Sequence, residues 1–209
     1  MKISHVELEK CFLNPRSWVS QRISPPPGGP RTGYDGVTKL AIYKWHATGS
    51  ASQAQRHLTR LLPRYRLTNA SLSNRAMANL ESYIEWCIRE SPVVSNWKFR
   101  LTLSLGHNFE LGGEVSRIDV DIESGGYKGV LLGDRRADWR RQLRFPLIQR
   151  ALADQLQRPE SEISVGFQNI DGTQLELISF PRLMLDEAED RAQELTITLS
   201  NEWRRQKGL

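Results

Sequence analysis

Leu111-Gly112-Gly113-Glu114-Val115-Ser116-Arg117-Ile118-Asp119-Val120 is the stretch on which the fold turns. It reads as the body of a strand covering about 109–122. A regular pleat alternates side chains, so Glu114, Ser116, Ile118 and Val120 are expected on one face and Arg117, Asp119 and Asp121 on the other. Downstream, Ser124-Gly125-Gly126 predicts a hairpin turn into a strand over 127–133. Upstream, Trp97, Phe99, Leu101, Leu103 and Leu105 alternate with polar residues and predict a strand over 97–105. Together the three predict an antiparallel meander.

Further out the period lengthens. Residues 4–23 read as a helix broken or kinked at Pro15, with Val6, Leu8, Phe12, Leu13 and Trp18 as its apolar positions. Pro25-Pro26-Pro27-Gly28-Gly29-Pro30 reads as an extended connector. Helices are predicted over 36–48, 51–62 and 71–90, the last carrying Leu72, Ala76, Leu80, Tyr83, Ile84 and Cys87 at helical spacing. Beyond the meander come a helix over 137–157, strands near 163–169 and 174–179 joined at Asp171-Gly172, and a helix over 183–206. The expected architecture is one α/β domain over 1–209, with a helical part at 1–93 and a sheet core with flanking helices at 94–209.

The 209 residues, 39% apolar and 25% charged, suffice for one sizeable core. No apolar run approaches the roughly 18 residues of a membrane helix, and the first residues lack the apolar core of a signal peptide. No membrane association and a cytoplasmic location are therefore expected. Cys11 and Cys87 are too few for a four-thiolate site and are expected to be reduced and packed. The net charge of +5 is modest, but Arg135, Arg136, Arg140, Arg141, Arg144 and Arg150 crowd together with only Asp134 and Asp138 to offset them. On a helix, Arg136, Arg140 and Arg144 would share a face and could follow a phosphate backbone. A solvated face, or pairing with Asp186, Glu187, Glu189 and Asp190, is the plainer alternative. The tryptophans are expected to anchor cores or interfaces.

Three segments, in order, resemble RecB-type nucleases of the PD-(D/E)XK superfamily. The first is Ile3-Ser4-His5-Val6-Glu7-Leu8-Glu9-Lys10-Cys11-Phe12-Leu13-Asn14-Pro15-Arg16-Ser17-Trp18. It is similar to the family's serine-led helix ending in Cys-Pro-Arg and an aromatic, with Asn14 in place of the cysteine, so the resemblance implies no iron–sulfur cluster. The second is Leu111–Val120, similar to Gly-x-Ile-Asp-Arg-Ile-Asp, where Ser116 stands at the metal-binding aspartate. The third is Gly129-Val130-Leu131-Leu132-Gly133-Asp134-Arg135-Arg136 followed by Gln142-Leu143-Arg144-Phe145-Pro146-Leu147-Ile148-Gln149. It is similar to a strand ending in Asp-x-Lys and a helix with Gln-x-Pro-Leu-Tyr. Arg144 and Ile148 replace the glutamine and tyrosine, and Pro146-Leu147 remain.

The resemblance implies a restriction-endonuclease-like core. Its enzymes hold magnesium on carboxylates beside a lysine. Two alignments keep the parity of the third strand: one puts Asp134 and Arg136 at the Asp and Lys positions, the other Leu132 and Asp134. The first leaves a candidate catalytic set of Glu114, Asp134 and Arg136. Arginine is a poor substitute for the lysine. Asp134 as a helix N-cap and Glu114 as a solvated strand residue are the bland alternatives. Among the histidines, His57 in Gln55-Arg56-His57-Leu58 best matches the one the family carries in its helical part. The expected protein is a catalytically degraded nuclease-like subunit without a cofactor. It would bind nucleic acid through Arg135, Arg136, Arg140, Arg141 and Arg144, or brace a protein partner, in a bacterial or phage-related DNA-processing or defence assembly. An active magnesium-dependent DNA nuclease and a pure interaction scaffold are the other two expectations.

Overall fold

A computed structural model describes residues 1–25, 32–106, 108–133 and 138–208. The order is β1 (Lys2–Ser4), α1 (Leu8–Leu13), α2 (Pro15–Ile23), α3 (Tyr34–Thr48), α4 (Ala51–Arg64) and α5 (Ala70–Glu90), then β2 (Val93–Gly106), β3 (Phe109–Val120) and β4 (Tyr127–Leu132). A 3-10 turn (Trp139–Arg141), α6 (Arg144–Leu156), a second 3-10 turn (Glu160–Glu162), β5 (Ile163–Gln168), β6 (Glu176–Ile178) and α7 (Arg182–Lys207) follow. Among the described residues this is a mixed α/β fold of seven α-helices and one six-stranded sheet. None of the helices is long and apolar enough to cross a membrane.

The predicted meander is present: β2 and β4 both run antiparallel to β3. The sheet runs β1-β3-β4-β5-β6, with β2 on the far edge of β3 and parallel pairing of β1 to β3 and β4 to β5.

The break expected at Pro15 is present, and two boundaries depart from the sequence expectation. The 4–23 helix is two helices, because Pro15 lacks an N–H and starts α2, capped by Asn14 accepting the Ser17 N–H at 3.0 Å. Ahead of it, residues 2–4 form a strand rather than helix or coil, so the N-terminal part contributes to the sheet. Helix 137–157 begins at Arg144 instead. Pro146 is tolerated in a first turn but would clash inside a longer helix, and Gln142 is extended (ψ 131) between the 3-10 turn and α6. The connector at 26–30 lies outside the described residues.

Both sheet faces are covered. On one, α3, α4 and α5 pack over Val130 and Leu132. On the other, α6 packs over Val115, Ile118 and Leu131. A third cluster joins Ile3, Leu8 and Trp18 to Leu111, Leu147 and α7. Leu13 is 84% exposed and Val6 58%, so these two expected apolar anchors of the first helix face solvent. Cys11 and Cys87 are buried in separate clusters, and burial pushes their thiols up to about 12 and about 11.

Two polar features tie the helices down. Arg150 of α6 ion-pairs Glu160 at 2.9 Å, Asp186 at 2.5 Å and also Glu189, joining the second 3-10 turn and α7 to α6. The Gln155 side chain accepts the Thr102 N–H at 3.0 Å and donates to the Arg100 carbonyl at 3.3 Å, on the edge strand β2.

Candidate functional site

Along one edge of β3, β1 pairs with residues 110–112 and β4 with residues 117–120. Gly113–Ser116 lie between them without a described strand on that side. Side chains fill the gap instead. His5 Nε2 donates to the Glu114 carbonyl at 3.1 Å, and the Ser116 Oγ accepts the Leu132 N–H at 3.0 Å. A cleft of about 1090 Å³ opens over this gap, walled by the β1–α1 segment, α3, β2 and the start of α6.

Each wall contributes by spacing. Asp35, Lys39 and Tyr43 recur every fourth residue of α3 and line the cleft together. Tyr43 is buried, and burial raises its phenol strongly; the Ser116 hydroxyl opposes that shift and the Glu114 carboxylate adds to it, so the phenol lies beside both. The Lys39 ammonium packs 3.4 Å from where a β-carbon on Gly133 would stand, which places it at the end of β4. Gly113, at φ +150, has the His5 ring where a side chain would go: a β-carbon there would lie 2.1 Å from His5 Cδ2. A glycine is thus required for β1 and His5 to seat against β3. Burial lowers the His5 imidazole to about 4, against the Glu114 hydrogen bond that raises it, and Arg144 and Lys39 lower it further.

The regular pleat expected for β3 is broken within this gap. Glu114 and Ser116 both line the cleft, as expected. Ile118, expected beside them, instead packs with Val115 in the α6-side core. Arg117 and Asp119, expected on the opposite face, lie on the α3–α5 side. There the Arg117 Nε donates to Asp119 at 2.7 Å and Nη1 to the Tyr83 hydroxyl at 2.6 Å, with the guanidinium 4.8 Å from the Trp86 ring. Asp119 is thereby consumed by a buried ion pair and does not line the cleft. β2 breaks in step. Trp97, opposite Arg117, stacks on His46, while Phe99, opposite Val115, packs into the α6-side core. Lys98, between them and facing Ser116 across the ladder, has φ +58 and lines the cleft.

The arginine ladder does not form as one face. Arg140 sits in the 3-10 turn, ion-paired to Glu176 at 3.2 Å. Arg141 is exposed. Arg144 alone of the three opens α6 and lines the cleft, its backbone N–H donating to Glu9 at 3.2 Å. Of the acidic C-terminal partners, Asp186 and Glu189 are taken by Arg150. Asp134, Arg135 and Arg136 lie outside the described residues. His57 stands apart, between Lys44, Arg56 and Arg60 on α3 and α4; among the described residues, the histidine that reaches the cleft is His5. Lys39, Tyr43, Lys98 and Arg100 were missed by sequence reasoning. Their signals were the fourfold spacing on α3 and the cations alternating in Trp97-Lys98-Phe99-Arg100.

The magnesium that the resemblance implies finds a poor donor set here. Glu114 is the single carboxylate that β3 sends into the cleft, and the Ser116 Oγ already accepts an N–H. Among the described residues, no three His, Cys, Asp or Glu side chains gather as ligands. The described residues thus do not make a magnesium site. What they make is a cationic one: Lys2, Lys10, Lys39, Lys98, Arg100 and Arg144 face Glu9, Asp35 and Glu114. The chain matches no protein-family model and no curated protein.

Proposed function

We propose that this chain is a nucleic-acid-binding, catalytically degraded relative of RecB-like PD-(D/E)XK nucleases, and that a phosphate backbone lies in the cleft over Gly113–Ser116. The observation that carries this reading is the convergence, among the described residues, of six cations from β1, α1, α3, β2 and α6 on one concave surface, against three carboxylates of its lining and Glu110, which pairs with Lys2 at 2.8 Å. Convergence from five separate elements is poorly explained by a solvated helix face, and lysine and arginine side chains are the usual grip on phosphates. The restriction-endonuclease-like core and the DNA-processing or defence setting rest on the resemblance of the three sequence segments.

Fluorescence anisotropy of labelled single- and double-stranded oligonucleotides tests it. The log of affinity should fall against the log of salt with a slope of about −3 to −5, as about 0.9 is lost per phosphate contact on duplex DNA. Absence of binding even at low salt overturns the reading. Incubation with magnesium and manganese should leave the oligonucleotides intact. Metal-dependent cleavage abolished by Glu114→Ala would make the chain an active nuclease instead.

A further inference from the structure

We infer that Lys98 is a built-in cation of the cleft floor, gripping a phosphate oxygen of the bound backbone directly, so that binding needs no divalent metal. This rests on the nucleic-acid-binding reading above and specifies how that site works. The residue is set up by an unusual backbone. Lys98 lies in mid-strand yet has φ +58, a region that side-chain-bearing residues seldom enter. Such a conformation persists only where the surroundings impose it, and outliers of this kind gather at functional sites.

Here the surroundings are on both sides. Trp97 is held toward α3 by stacking on His46, with ring centroids 6.3 Å apart and planes 16° apart. Phe99 is held toward α6. Two residues that a regular strand would place on one face are thus drawn to opposite faces, and the residue between them turns into the cleft. β3 makes the matching switch between Val115 and Arg117, which leaves Lys98 opposite Ser116.

The chemistry of the position suits an ammonium. Lys98 is exposed and ion-pairs with no described residue. Ser116, opposite it, is a neutral hydroxyl whose oxygen already accepts the Leu132 N–H. Magnesium would want near-octahedral oxygen ligands, with one or two carboxylates sharing it with the phosphate, and β3 sends Glu114 alone into the cleft. An ammonium carries its own charge and three rotatable donors, and offsets Glu114 while leaving donors for a phosphate oxygen.

The experiment compares parent, Lys98→Gly and Lys98→Gln. Glycine adopts φ +58 without cost, so Lys98→Gly should melt at or above the parent temperature. Its affinity for a labelled oligonucleotide should fall about tenfold at about 50 mM salt. The magnitude of its salt slope should drop by about 0.7–0.9, one phosphate contact. Lys98→Gln gives the same readout if the glycine variant fails to fold. In the parent, affinity in EDTA should equal or exceed that in magnesium at matched ionic strength. Unchanged affinity and slope in both folded variants, with the parent binding, overturns this inference and leaves the nucleic-acid-binding reading standing. Binding that appears only with magnesium also overturns it. A parent that binds no oligonucleotide removes both.

Discussion

His5 has one ring nitrogen on the Glu114 carbonyl and the other, Nδ1, without a hydrogen-bond partner, in a side chain only 4% exposed. Protonating it would bury a charge and an N–H with nothing described to receive it. Its folded pKa of about 4 lies below the unfolded 6.5, so the unfolded chain binds the extra proton between those values. Stability is therefore present above about pH 6.5 and is lost as pH falls toward 4. Going from pH 7 to pH 5 should remove about 2 kcal/mol through this residue. His46, also lowered to about 4 by burial and then by Arg117, adds a similar loss. Urea unfolding at both pH values should show a shallower pH dependence for His5→Gln than for the parent; identical pH dependence would contradict the assignment. Arg117 behaves oppositely in kind: fully buried, permanently charged and dependent on Asp119. Asp119→Ala should cost about 3–5 kcal/mol, because it strands a buried cation. Replacing both, Arg117→Met with Asp119→Leu, should recover most of that loss. A loss below about 1 kcal/mol for Asp119→Ala would show the pair to be dispensable.

Between elements, the joint at Arg150 gathers three ion pairs on one side chain. One side chain, 18% exposed, serves carboxylates from the Glu160–Glu162 turn and from two successive turns of α7. Arg150→Leu should cost about 1–3 kcal/mol at pH 7, discounted for the partial exposure of the acids. Denaturant titration checks it: a loss below about 0.5 kcal/mol would show the joint to be dispensable. The elements themselves were largely legible. Alternation in Trp97–Leu105, the Ser124-Gly125-Gly126 turn and the helical spacing through Leu80, Ile84 and Cys87 marked β2, the β3–β4 hairpin and α5. The strand Lys2–Ser4 was not, since three residues carry no period. The start of α6 was readable from Pro146 but was masked by the arginines spaced every fourth residue. Least legible was the floor of the cleft. Pleat alternation assigns faces only while a strand stays regular, and the switch around Ser116 is imposed by tertiary contacts of Trp97, Phe99 and Arg117 that no local pattern reveals. Glu114 and Ser116 were correctly placed on a common face; Lys98 was invisible until its φ was known.

At the scale of the molecule, the sheet ends in a long strand. β2 spans 14 residues and, among the described residues, has a hydrogen-bonded neighbour strand only on its β3 side. The Gln155 side chain meets that outer edge at Arg100 and Thr102 with one acceptor and one donor, the same pair of groups that a neighbouring peptide would offer. An amide side chain is thus a false strand one residue long. It occupies the docking points at which another copy's backbone would register and extend the sheet from molecule to molecule. Gln155→Ala should therefore leave unfolding free energy within about 1 kcal/mol of the parent. It should nonetheless lower the concentration at which light scattering and thioflavin fluorescence rise on gentle warming. If the variant stays as monodisperse as the parent, the cations Lys98 and Arg100 on the same strand suffice as gatekeepers. Gln155, then, bears less on whether this chain folds than on how crowded a solution of it can become before folded molecules begin to template one another.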